Sequence, residues 1–134
     1  MGSQKITSYR DLIVWKRAME PVEEVYKLTD AFPKKEEYRL TSQTIRAAIS
    51  APANIAEGFM RNTRKDYADF IGIARGSAAE LDTLLMLAGR MRYASAESIG
   101  QVLGGAEEIS RMLNSLRQKL SSSPKTENLK PKTS

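Results

Sequence analysis

At 134 residues and 14.9 kDa the chain has room for one domain with one core and is too short for two ordinary ones. It contains no Cys and no His, which removes a disulfide framework, the usual nitrogen and sulfur metal ligands and much enzymology with them. A formal charge of +5 and a pI near 9.6 favour polyanionic partners. No apolar run approaches the roughly 18 residues of a membrane span, and the opening MGSQKITSYRD lacks the apolar centre of a signal peptide. A cytoplasmic protein with no membrane partner is therefore expected.

In chain order, residues 1–7 read as an N-terminal arm, residues 8–120 as a helical domain and residues 121–134 as a disordered basic tail. In the first helix Leu12, Trp15, Met19, Val22 and Tyr26 recur at helical spacing. A second apolar line, Val14, Ala18, Val25, Leu28 and Phe32, runs beside it. Phe32-Pro33 ends this helix, because a proline cannot continue the hydrogen-bond ladder and disfavours helical geometry in the residue before it.

The second helix is expected over about residues 37–60. A helical wheel puts Ile45, Ala48, Ile49, Pro52, Ile55, Ala56 and Phe59 on one side, and Arg46, Ser50, Asn54, Glu57 and Arg61 on the other. Pro52 should bend the helix and leave the Ala48 carbonyl without its donor, with the Ser50 hydroxyl turned back toward the carbonyls of Arg46 and Ala47. The many alanines around it would let a neighbouring helix approach closely. The stripe from Arg46 to Arg61 is either a solvated face or a contact surface. Asn54 favours the second reading, since Asn is a poor helix former usually placed where its amide has a partner. Gly58 could loosen the last turn or admit another backbone.

Thr63 followed by Asp66 has the form of a capping box and opens a third helix running to about Tyr93. Its core line is Tyr67, Phe70, Ala74, Leu81, Leu85 and Ala88, with Ser77 among them. A second apolar line, Ile73, Leu84, Leu87 and Met91, contains Glu80. A carboxylate among leucines needs a partner, an Arg of the same chain or of a neighbour. No second acid or base stands ready to make Glu80 catalytic. Ser95 and Ser98 offer a weaker start to the fourth helix, whose stripe is Ile99, Val102, Leu103, Ala106, Ile109, Leu113, Leu116 and Leu120. Short connections make neighbouring helices antiparallel, so the expected fold is all-α, an up-down four-helix bundle. The apolar surface of the first and third helices exceeds one core face, which favours self-association.

These segments carry a resemblance. RDLIVW (Arg10 to Trp15), FPKKEEYRLTSQ (Phe32 to Gln43), IRAAISAPANIAEG (Ile45 to Gly58) and GSAAEL (Gly76 to Leu81) resemble the successive motifs of the 23S ribosomal RNA intervening-sequence protein family. The resemblance implies a four-helix bundle assembled as a homopentamer, with no established catalytic residues. It also implies kinship with bundles that serve reverse transcriptases as nucleic-acid-binding accessories. Trp15, Arg46, Asn54, Glu57, Gly58, Ser77 and Glu80 fall on the family pattern and, with Pro52 at the expected bend, are the candidate structural or interface residues. Arg39 and Arg92 depart from it, standing where relatives often have Gly, and Gly104-Gly105 puts the rigidity of the fourth helix in doubt.

A non-enzymatic, cofactor-free, oligomeric nucleic-acid-binding protein is the expected function. The candidate contacts to RNA or DNA phosphates are Lys34, Lys35, Arg39, Arg90 and Arg92 at one end, Arg61, Arg64 and Lys65 at the other. Aromatic residues are only 7% and mostly fall in apolar stripes, so stacking on bases is not evident. The alternative is a scaffold for a polymerase or ribosomal partner that makes no nucleic-acid contact.

Overall fold

A computed structural model describes residues 5–122; the basic tail, from residue 123 on, lies outside the described residues, as do residues 1–4. Four long helices make up the described chain: α1 (Ile13–Thr29), α2 (Ser42–Phe59), α3 (Arg64–Arg90) and α4 (Ala96–Leu120). A 3-10 turn, Tyr9–Asp11, precedes α1, and a second, Lys34–Glu36, is followed by a π-helical turn, Glu37–Thr41, that runs into α2. There are no strands among the described residues.

The first 3-10 turn, α3 and α4 each start with a side chain that satisfies free N–H groups of the first turn. Ser8 and Asp11 form a reciprocal capping box around the first 3-10 turn. Thr63 Oγ1 accepts from Asp66 N at 3.1 Å, and Ser95 Oγ from Ser98 N at 3.0 Å. The first helix stops at Thr29, earlier than Phe32-Pro33 suggests, where the Thr29 hydroxyl donates to the Val25 and Tyr26 carbonyls at 2.9 and 3.3 Å. The connection from Lys34 to Thr41 is likewise not the first turn of an ordinary helix: Glu36 accepts from Leu40 N at 3.2 Å and widens it.

The core divides into two clusters. One joins Val22 to Leu28 of α1, Ala47 and Ala48 of α2, Leu81 to Ala88 of α3 and Ile99 to Ala106 of α4. The other joins Val14 and Ala18 with Ile55, Tyr67 to Ala74, and Ile109 to Leu120. Between them Ala18, Pro21, Ala48, Ala51, Ala78, Ala106 and Ile109 surround a void of about 10 Å³, too small for more than a single water. Pro21 belongs to this narrow level, and periodicity alone passes over it, because it is inside α1; Pro52 is buried inside α2. A Cβ at Gly105 would stand 3.6 Å from Pro21 Cγ, an ordinary contact, so Pro21 leaves room for a side chain there. α4 runs unbroken through both glycines.

α2 and α3 meet closely at Gly58. A Cβ there would fall 2.8 Å from Phe70 Cβ and 3.1 Å from the Tyr67 ring, whereas one at Gly76 would meet nothing within 4 Å. Gly58→Ala should therefore cost about 1–3 kcal/mol through forced separation of the helices, and Gly76→Ala should add about 0.5–1 kcal/mol by removing backbone freedom from the unfolded chain. Urea denaturation of the two variants checks the opposite signs.

Candidate nucleic-acid interface

The polar side chains of α2 find their partners within the chain. Asn54 Nδ2 donates to the Ser50 carbonyl at 2.8 Å and to Ser50 Oγ at 3.0 Å. Ser50 Oγ lies 2.7 Å from Ser77 Oγ, and the Ser77 hydroxyl reaches Ile73 O at 3.1 Å. The Ser50 hydroxyl thus bridges to α3 and is not turned back on its own helix. One turn away Arg46 pairs with Glu80 and donates to Gln43 Oε1 at 3.0 Å. The carboxylate among leucines has its arginine in the same chain. Glu57 accepts from Arg61 at 3.0 Å, while Gly58 makes the close helix contact and Trp15 packs beside the second core cluster and edge-on to Tyr9 at 5.5 Å.

These ion pairs are half exposed, with 56% and 42% of the Arg46 and Glu80 side chains open to solvent. Such pairs contribute about 0–1 kcal/mol. They fix how α2 sits against α3 more than they hold it there.

The basic residues fall into two groups of different character. Arg61, Arg64 and Lys65 flank the α2–α3 connection. Arg61 pairs with Glu57 and lies over the Phe70 ring at 4.6 Å, Arg64 donates to the Lys119 carbonyl at the end of α4, and Lys65 pairs with Asp69 at 3.0 Å. The Asp69 carboxylate holds the Lys65 ammonium above its ordinary pKa. Most of this group's charge is answered locally.

The second group is assembled by Glu36 and Tyr93. The Tyr93 hydroxyl donates to Glu36 Oε2 at 2.9 Å, and the Tyr93 ring lies 5.7 Å from that of Phe32. Together they tie the α3–α4 connection to the α1–α2 connection, bringing Arg90 and Arg92 to the end that carries Lys34, Lys35 and Arg39. Arg39 donates to Glu36 at 3.4 Å. Lys34, Lys35, Arg90 and Arg92 are exposed, and no carboxylate of the described residues pairs with any of them.

Arg92 is the described non-glycine residue with positive φ, 63°. It occupies the left-handed position of a Schellman helix end: Tyr93 N donates to Ala88 O and Arg92 N to Gly89 O, each at 3.0 Å. Glycine is the residue that fits there without a steric cost. An arginine there accepts steric strain and places a positive charge at the helix end. Arg92→Gly should raise stability by about 1 kcal/mol, readable as a higher urea midpoint.

Other titratable groups belong to the frame. Burial pushes the Tyr67 hydroxyl up to about 12. Burial, then the Glu107 carboxylate, raises the Asp82 carboxyl. No three acidic side chains converge on a possible metal position among the described residues.

The arrangement is that of an all-helical protein of four helices with a concentrated basic end. The motif pattern of the family described as 23S rRNA-intervening sequence protein matches residues 10–115, and the chain belongs to that family. Among solved structures, a protein of unknown function from the S23 ribosomal protein family of Bacteroides thetaiotaomicron is similar, with a TM-score of 0.74 and 24% identity. The match covers 79% of this chain and 99% of that one. At that identity the likeness concerns the fold. No curated protein matches the chain. No helix of the described residues is long and apolar enough to cross a membrane.

The Tyr93 hydroxyl, then the Leu40 amide, hold the Glu36 carboxyl below its ordinary range. A lowered carboxyl pKa supplies stability that is present above the unfolded value near 4.3 and is lost as pH falls through the folded one. Glu36→Gln should accordingly flatten the fall in melting temperature below about pH 4.5, while costing stability at neutral pH. Thermal melts across a pH series read both effects.

Proposed function

We propose that the protein is a non-enzymatic, oligomeric binder of nucleic-acid phosphates, acting in the cytoplasm with ribosomal RNA or as an accessory to a reverse transcriptase. The observation that carries this reading is the set of Lys34, Lys35, Arg90 and Arg92, exposed and without carboxylate partners among the described residues. Cations already paired with carboxylates release little on meeting a phosphate, while unpaired ones release the counterions of the nucleic acid in full. The contact should be weakly specific for sequence, since phosphate contacts position a chain without reading bases. The family description, which names 23S rRNA, supports RNA over DNA as the first ligand to test.

Up-and-down order of the helices is part of the proposal. It is supported by the meeting of late α1 with early α2, and of late α3 with early α4, in a single core cluster. Assembly into a closed ring, five subunits by family resemblance, is supported by apolar side chains left in solvent on α1, on α3 and just after α3: Ile13, Tyr26, Ile73, Leu87 and Met91 are 46–66% exposed. A ring would repeat the basic end around its axis and multiply its affinity.

The test is fluorescence-anisotropy titration of a labelled ribosomal RNA fragment and a DNA duplex across a salt series, with mass from light scattering on the same samples. Binding should weaken steeply with salt. A Lys34→Glu, Lys35→Glu, Arg90→Glu variant should lose at least ten-fold in affinity, and Arg61→Glu, Arg64→Glu, Lys65→Glu should lose less. Absence of binding at low salt from a well-formed multimer would overturn the reading and favour the scaffold that binds a polymerase or ribosomal protein.

A further inference from the structure

The aromatic rings of this protein are nearly all engaged. Tyr9 packs against Trp15, Phe32 against Tyr93, Phe59 against Tyr67, and Phe70 lies under Arg61. Tyr38 stands apart at 86% exposed, well beyond the 51% of Tyr26. An aromatic side chain this open gives up burial that it would gain in almost any other placement. The π-helical turn holds it there: Glu36 caps the turn through Leu40 N, so that Leu40 goes into the core and Tyr38 outward.

Tyr38 forms one wall of an open groove of about 650 Å³ whose other walls include Ile45, Ile49 and Thr41, with Arg46 and Glu37 at its edge. The surface is mainly apolar, and the segment that carries Tyr38 also carries Lys34, Lys35 and Arg39. An exposed ring above an apolar floor, with Arg39 on its own turn and Lys34 and Lys35 on the turn before, suits a ligand having a flat apolar face and a negative charge beside it. An unpaired nucleotide has both. A base in a duplex has its faces covered by its neighbours.

We propose that this groove receives an unpaired base of a single-stranded nucleic acid, stacked on Tyr38, with the adjoining phosphates on Lys34, Lys35 and Arg39. The assignment rests on the phosphate-binding reading above and adds to it a preference for single strands. Stacking tolerates any base, so selectivity is for strandedness and not for sequence. Glu37 at the edge turns away a phosphate from the groove itself, leaving that place to the base.

The experiment compares labelled single-stranded RNA with the same sequence in duplex form, for the full chain and for Tyr38→Ala and Tyr38→Phe, with light scattering on each sample. Tyr38→Ala should weaken single-strand binding by roughly 5- to 150-fold, the worth of one base stacked on an aromatic ring. Tyr38→Phe should restore it, and duplex binding should change little in either. Equal single-strand affinity for the parent and Tyr38→Ala, with duplex still bound, would overturn the stacking site and leave phosphate binding standing. Failure of both nucleic acids to bind the parent would remove both readings. A loss of mass on Tyr38→Ala would make the groove a contact between subunits and overturn the proposal.

Discussion

The close approach of α2 to α3 is the constraint on which the rest of the molecule depends. It is made by absent side chains: Gly58 leaves room for Phe70, and Ala47, Ala48, Ala51, Ala74 and Ala78 are buried at 8% exposure or less. Small residues bury little apolar area each, so the contact is not strong per residue. Its effect is geometric. Backbones this close allow two serine hydroxyls to meet at 2.7 Å and an arginine on one helix to reach a glutamate on the other. Large side chains at these positions would hold both pairs apart, and the larger core residues, Ile55, Ile71, Leu85 and Leu113, are accordingly set above and below the narrow level.

That geometry carries through to the basic end. With α2 fixed on α3, the turn before α2 and the turn after α3 stand together, and a single carboxylate can serve both. Glu36 caps the π turn, accepts from Tyr93 and holds Arg39. It is a buried acid beside a dense set of cations, yet its hydrogen bonds are spent inside the chain and only one cation is drawn to it. Lys34, Lys35, Arg90 and Arg92 keep their charge for something else. Arg92 shows the same preference from the backbone side, since a left-handed arginine is a less stable choice than glycine.

Much of the fold was legible because helical periodicity and capping report directly on local structure. Ser8, Thr63 and Ser95 open their elements as the residue types imply, and the core stripes of α3 and α4 are buried where spacing put them. The misses share a cause. Pro21 hides in α1 because a proline on a buried face does not disturb the apolar spacing, and its place against Ala48, Ala78 and Ala106 is a tertiary fact. The π turn could not be read from spacing, because a side-chain acceptor, Glu36, makes it. The partner of Glu80 required knowing how α2 lies on α3. The same holds for the site: charge counting finds both basic groups, but only the pairing of carboxylates separates them.

Tyr38 shows where periodicity misleads about function. It has the right spacing for an apolar stripe leading into α2, and aromatic residues in stripes are usually core. Tyr38 lies in line with Ile45 and Ile49 along one groove, and that line faces solvent, Ile49 being 41% exposed, while the buried line runs through Leu40, Thr44, Ala47 and Ala51. Widened turns of this kind cost hydrogen-bond geometry and are frequent at functional sites. Here the turn is capped by Glu36, the same carboxylate that accepts from Tyr93, so the turn carrying the exposed ring is tied by one side chain to the α3–α4 connection. A protein that needed only a stable bundle could have continued α2 straight through this segment, with Leu40 buried and no carboxylate taken out of water.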